Sequence, residues 1–198
     1  IGIYLCKVHM IFYRIIRYSI SIERSLTWRI AMDKKVCAIV VTYNRKILLK
    51  ECVKAIMSQS FQVNHLLIVN NNSTDGTTEW LQEKINSMPK LLVYNSKDNL
   101  GGAGGFSKAV EIALKKTNDD LFWIMDDDTI PQIDALFEFM KVEKESSERI
   151  GFLCSLVLWK DGSVVNAPVL DAKWYDKVSE QLLRAERATF VSVIFSRY

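Results

Sequence analysis

Short runs of β-branched and aliphatic residues alternate along this chain with longer stretches whose apolar residues recur every three or four positions. VCAIVVT (36–42) is the first such run, and the polar turn YNRK follows it. Ile47, Leu48, Leu49, Cys52, Val53 and Ile56 then recur at helical spacing and predict one apolar helix face through about Met57. HLLIVN (65–70) predicts a second strand, closed by the polar cluster NNNSTDGT. A helix starting near Gly76 turns Trp80, Leu81 and Ile85 inward and stops before Pro89. LLVYN (91–95) is a third strand. NLGGAGGFSKAVEIALKK (99–116) reads as a glycine-rich loop entering a helix, with Phe106, Ala109, Val110, Ala113 and Leu114 at helical spacing. LFWIM (121–125) is a fourth strand and runs straight into Asp126, Asp127 and Asp128. A helix over about 132–145, a strand at GFLCSLVLW (151–159) and a strand pattern in ATFVSVIFSRY (188–198) complete the series.

Strands separated by helices of ten or more residues imply βαβ units, hence an α/β chain with a mostly parallel central sheet flanked by helices. Ligands of such sheets bind beyond the carboxyl ends of the strands. The polar clusters at 42–45, 70–77, 95–105 and 126–128 all fall there, and the pattern predicts that they converge on one edge.

Length and composition set few further limits. The 198 residues suit one domain, and 49% hydrophobic with 25% charged residues is ordinary for a folded chain. The formal charge of +3 is uneven: residues 1–31 contribute +4 and the remainder −1. The body has no basic bias to support a nucleic-acid partner. Cys6, Cys37, Cys52 and Cys154 form no CxxC pair, and only His9 and His65 accompany them, which argues against zinc; Cys37 and Cys52, among apolar neighbours, read as buried free thiols of a reducing compartment. No apolar stretch reaches the ~18–20 residues of a membrane span. Met32 begins MDKKVCAIVV, which resembles a natural protein start. Residues 1–31 are therefore expected to be either an extension outside the fold or a basic amphipathic helix resting on a membrane, with residues 32–198 as the domain.

Three like charges after a buried strand call for a positive partner. If the chain stays extended past Met125, Asp126 and Asp128 share one side and Asp127 points away. Two carboxylates suit Mg²⁺ or Mn²⁺ that also takes oxygens from a diphosphate, the alternative being a solvated acidic turn before Pro131. The glycines of NLGGAGG permit close backbone approach, and the helix start behind them favours an anion; tight helix packing would use the same residues. The GxGxxG fingerprint fails, because Ser107 stands where its third glycine belongs. Asp75 reads either as a helix cap or as a ligand contact. Asn44 and Arg45 read as a cap or a nucleotide contact.

Together, VVTYNR, IVNNNSTDGT, NLGGAGGF and MDDD resemble the nucleotide-sugar motifs of the inverting glycosyltransferases of family 2, over about residues 34–198. NLGGAGGF with the triple aspartate is similar to the branch containing rhamnosyltransferases and galactofuranosyltransferases. The resemblance implies the GT-A fold, which is Rossmann-like, and a donor of the dTDP-rhamnose or UDP-galactofuranose type. It places Thr42, Tyr43, Arg45, Asn71 and Asp75 about the nucleotide, and Asn99, Gly101 and Gly102 near the nucleotide sugar. Asp126 and Asp127 are assigned to the donor, and Asp126 and Asp128 to the metal. It further implies a glycan or lipid-linked acceptor and a cytoplasmic setting at the inner face of a membrane. Asn70 stands where many members carry aspartate. The family's base lies in a later acidic motif that this sequence does not show, so the expectation is a donor half whose base falls beyond Tyr198. A catalytically silent nucleotide-binding remnant shares that donor pocket. WIMDDDT also matches a haloacid-dehalogenase-type nucleophile motif, but on the fourth strand rather than the first.

Overall fold

The computed structural model describes residues 4–7, 33–146, 152–158, 164–166 and 192–196. Its strands and helices are, in order, β1 (Tyr4–Lys7), β2 (Val36–Thr42), α1 (Lys46–Met57), β3 (His65–Asn70), α2 (Thr77–Ser87), β4 (Leu91–Asn95), α3 (Gly101–Lys116), β5 (Leu121–Asp126), β6 (Thr129–Pro131), α4 (Ala135–Glu145), β7 (Phe152–Cys154), β8 (Leu156–Leu158), β9 (Val164–Asn166) and β10 (Ser192–Ser196). The main sheet runs β4-β3-β2-β5-β10-β7. Its first four strands are parallel, and β10 lies antiparallel between β5 and β7. This is the α/β fold with a mostly parallel sheet that the alternating pattern predicts.

The uninterrupted apolar run of β2 follows from its central place, since every residue from Val36 to Thr42 is buried. Successive side chains leave on opposite faces. Val36, Ala38 and Val40 pack with Leu49, Cys52, Val53 and Ile56 of α1, Leu81 of α2 and Leu136, Phe139 and Met140 of α4. Cys37, Ile39 and Val41 meet Ala109, Ile112 and Ala113 of α3. Trp123 on β5 is fully buried and meets Phe139 edge-on, with ring centroids 6.4 Å apart. The thiols of Cys37 and Cys52 are free and buried, as expected. At the amino-terminal edge of the sheet, His65 Nδ1 lies 2.7 Å from Oδ2 of the buried Asp119.

Several elements depart from the pattern. Ile47 is 76% exposed and Ile85 is also exposed, so neither belongs to the inward face assigned to it. Both sit near helix ends. The inward face of α1 begins instead at Leu49. Leu114 too is exposed, near the carboxyl end of α3. GFLCSLVLW is not one strand: the ladder breaks at the buried Ser155, with β7 in the main sheet and β8 in a second. That second sheet, β6-β1-β8-β9, uses Tyr4–Lys7 as a strand parallel to β6 and antiparallel to β8. A strand thus lies within the segment read as an extension; the surface-helix reading of residues 8–31 lies outside the described residues. The strand pattern of the tail is met by β10.

Candidate functional site

The carboxyl ends of β2, β3 and β5 and the start of α3 enclose a cleft of about 280 Å³. The β2 and β3 ends are tied together first. Asn71 N–H donates to the Thr42 carbonyl at 2.9 Å, continuing the ladder one residue past its end. Asn44 takes a left-handed backbone (φ 53°), which turns its side chain to accept from Thr74 N–H at 2.7 Å while its own N–H donates to Ser73 Oγ. Asn44 is therefore a loop-to-loop tie, neither a helix cap nor part of the cleft lining.

Asp75 ties two helix starts together. Its carboxylate accepts from Lys46 N–H at the start of α1, and from Thr77 N–H and Oγ1 at the start of α2. Desolvation works against the charged form. The bonds from Thr77 and the Lys46 amide outweigh it and hold the carboxyl below its usual range. Asp75 does not line the cleft. Asn70 is structural as well: its amide donates to Thr78 Oγ1 and Asn95 Oδ1 at 2.9 Å, and its Oδ1 accepts from Ser73 N–H. Those two donated bonds give a reason for an amide where many members carry aspartate.

The glycines do not form a loop. Gly101–Gly105 are the first turn of α3, and the loop ends at Leu100, with Asn99 Oδ1 accepting from Gly101 N–H at 2.9 Å. That first turn carries no acidic residue, and Gly101 and Gly102 line the cleft. Backbone N–H groups at a helix start, with the positive end of its dipole, suit an anion. Gly105 has a different task. A Cβ there would stand 2.6 Å from Val41 Cγ1 and 2.9 Å from Asn71 Nδ2, so glycine lets α3 close onto the sheet. In that packing Asn71 Nδ2 donates to the Gly101 carbonyl at 3.0 Å. Asn71 Oδ1 is buried with no partner, an unspent acceptor in a residue that lines the cleft.

The aspartates do not stay extended. The chain turns at Asp127 and Asp128, so the alternating-sides expectation fails, and Asp127 lines the cleft together with Asp126. Asp127 Oδ2 accepts from Thr42 Oγ1 at 2.7 Å. Arg45 Nη1 reaches Asp128 Oδ2 at 2.9 Å and Asp127 Oδ1 at 3.4 Å. Asp128, expected as a metal ligand, is thus engaged by Arg45 and does not line the cleft. No donor among the described residues bonds to the Asp126 carboxylate. Burial and then its Asp128 and Asp127 neighbours push Asp126 up to about 6, with Arg45 opposing. Burial is also the first cause raising Asp127 and Asp128.

Every donor residue assigned from the sequence except Asp75 therefore lines one cleft: Thr42, Tyr43, Arg45, Asn71, Asn99, Gly101, Gly102, Asp126 and Asp127. Val41 and Phe106 line it too. Their apolar spacing marked them as packing residues, and nothing in that spacing separates a cleft wall from a core. Among the described residues no group of three His, Cys, Asp or Glu side chains is arranged to hold a metal unaided. Asp126 with Asp127 or Asp128 suits a hard cation that draws its remaining ligands from a bound molecule.

The profile of the family described as Glycosyl transferase family 2 matches residues 37–188. Galactofuranosyltransferase GlfT1 of Mycolicibacterium smegmatis is 37% identical over 97 residues, which are 48% of this chain and 30% of that protein. GlfT1 of Mycobacterium tuberculosis strain H37Rv is 33% identical over 98 residues, 49% of this chain and 31% of the relative. This chain thus aligns with less than a third of either relative. Among solved structures, the mannosyltransferase PcManGT from Pyrobaculum calidifontis, determined with GDP-Man and Mn²⁺, superposes with a TM-score of 0.57 at 19% identity. The match covers 83% of this chain and 45% of that one. At that identity the likeness shows the fold, GT-A, and not the ligand. Family membership sets the phosphatase reading aside. The chain belongs to glycosyl transferase family 2.

Proposed function

We propose that the cleft binds the nucleotide-diphospho-sugar donor of an inverting, metal-assisted glycosyl transfer, with a donor of the UDP-galactofuranose or dTDP-rhamnose type. The observation that carries this is the pairing, in one cleft, of an anion-suited helix start with an unpartnered carboxylate and an unpartnered amide oxygen. Gly102 offers its N–H to the diphosphate behind the Gly101 N–H that Asn99 already holds, and Asn71 Oδ1 accepts from an N–H or O–H of the base or ribose. Tyr43, 45% exposed at the rim, presents its ring to the nucleotide. Asp126 with Asp128, once Arg45 has moved, would hold Mg²⁺ or Mn²⁺ together with oxygens of the diphosphate. When bound, the cation stabilises negative charge on the departing nucleoside diphosphate.

Inversion requires a carboxylate to take the proton of the attacking acceptor hydroxyl. The acidic residues lining the described cleft are Asp126 and Asp127, and both are committed to the donor side. In this reading the base lies outside the described residues. The acceptor is a glycan or lipid-linked sugar, met at the cytoplasmic face of a membrane. Among the described residues no helix is long and apolar enough to cross one.

Titration calorimetry with MnCl₂ and a panel of nucleotide sugars tests the proposal. Binding of a uridine or thymidine diphospho-sugar that requires Mn²⁺ and is lost in Asp126→Asn is expected. Failure of every nucleotide sugar to bind with Mn²⁺ present would overturn it.

A further inference from the structure

We propose that Arg45 is a built-in counter-ion that occupies the aspartate run until a divalent cation replaces it, so that cation and diphosphate enter the cleft as a coupled pair. The inference rests on the donor-site reading above.

The geometry is that of a placeholder. Asp127 and Asp128 are nearly buried, with 5% and 13% of their side chains exposed, whereas 52% of the Arg45 side chain is exposed. Arg45, about half exposed, can therefore leave with less loss of packing than the carboxylates, which cannot follow it. A single nitrogen, Nη1, serves both carboxylates, and the Asp127 contact is long at 3.4 Å. The two-pronged fork that makes arginine–carboxylate pairs strong is not used. One positive charge against three aspartates also leaves the run net negative. A divalent ion bonds carboxylate oxygens at about 2.0–2.6 Å and neutralises more of that charge. Asp128 Oδ2 cannot serve the guanidinium and the ion equally, so the two compete for it. Once displaced, Arg45 remains on the cleft wall, where a diphosphate can take both prongs of its fork. Each ligand thus lowers the cost of binding the other, and the coupling is reciprocal.

The test compares Mn²⁺ binding to the full chain and to Arg45→Met, by the EPR signal of free Mn²⁺, with and without UDP. Without UDP, Arg45→Met is expected to bind Mn²⁺ about fivefold tighter or more. With UDP bound, Arg45 has already moved, so the two proteins differ little and the coupling factor falls by the same about fivefold. Mere removal of a positive charge would tighten Mn²⁺ equally in both conditions, and that result overturns the proposal. So does Mn²⁺ binding by Arg45→Met that is no tighter than wild type. As a check that does not depend on full folding of one variant, Arg45→Lys is expected to fall between the two. Thermal melting should show a larger Mn²⁺-induced rise for Arg45→Met than for wild type, and an equal rise counts against the proposal. If Mn²⁺ binds with UDP and Asp126→Asn abolishes it, the donor reading stands whatever Arg45 does. If no Mn²⁺ binds even with UDP, the donor reading falls and this inference with it.

Discussion

Two glycines three residues apart illustrate how one residue type can serve packing and a cleft wall separately. At Gly105 a methyl group would meet Val41 Cγ1 at 2.6 Å and Asn71 Nδ2 at 2.9 Å. At Gly102 nothing lies within 4 Å, because that side faces open space at the cleft. Gly105→Ala is therefore expected to cost about 1–3 kcal/mol through overpacking, read as a lower urea midpoint. Nucleotide binding should weaken with it, since Asn71 must shift. Gly102→Ala should leave the midpoint unchanged or slightly raised, as alanine is the better helix former. Its methyl stands where the ligand approaches, so about tenfold weaker UDP binding by calorimetry is expected. The sequence showed that glycines mattered here but not which did what, because that division depends on what packs above each Cα. Asn71 was legible as a polar residue at a strand end. Its unpartnered oxygen was not, because that depends on Gly101 taking only its amide.

At the scale of elements, the cleft depends on two helix starts held by one side chain. Asp75 accepts from the first amide of α1 and from the first amide and hydroxyl of α2. Asp75→Ala frees both termini and is expected to cost about 1–2 kcal/mol, at the upper end for a cap because two helices are affected. Its carboxyl is held below the ordinary range when folded. Its stabilisation is therefore full above the unfolded-state value near 4 and is lost as pH falls through the folded value. Urea midpoints of wild type and Asp75→Ala should accordingly differ at pH 7 and converge in acid. A constant gap would refute the assignment. The parallel core strands were legible because burial on both faces makes them apolar throughout. The break at Ser155 and the strand at Thr129–Pro131 were not, since each depends on partners distant in sequence: β10 and β1. The turn after Asp126 escaped for a similar reason. Thr42 and Arg45, more than 80 residues away, hold the aspartates where local alternation would not put them.

The whole molecule places its least comfortable charges on its most buried framework. β5 carries the fully buried Trp123 and Met125, and the aspartate run follows directly, with Arg45 as the basic partner. Asp126 has a folded value raised to about 6, against about 4 for an exposed carboxyl. The raised value fixes the sign. Between those two pH values the folded state binds more protons than the unfolded state, so stability falls as pH rises through that window. Above it the ionised run is a standing cost, which the sheet beneath it tolerates and which a bound cation would relieve under the proposed function. Asp126→Asn removes the charge and keeps the shape. It is expected to be more stable than wild type at pH 7.5 by about 1–2 kcal/mol, allowing for partial solvent screening, and no more stable at pH 4. Thermal melts across that range read the difference directly. Adding Mn²⁺ with UDP at pH 7.5 should raise the melting temperature of wild type and leave Asp126→Asn where it was. The same ionisation requires Mn²⁺ affinity to fall as pH drops below about 6. A variant no more stable than wild type at pH 7.5 would mean that Asp126 is already compensated in the free protein, and the edge would then lack the unpaired charge on which cation binding depends.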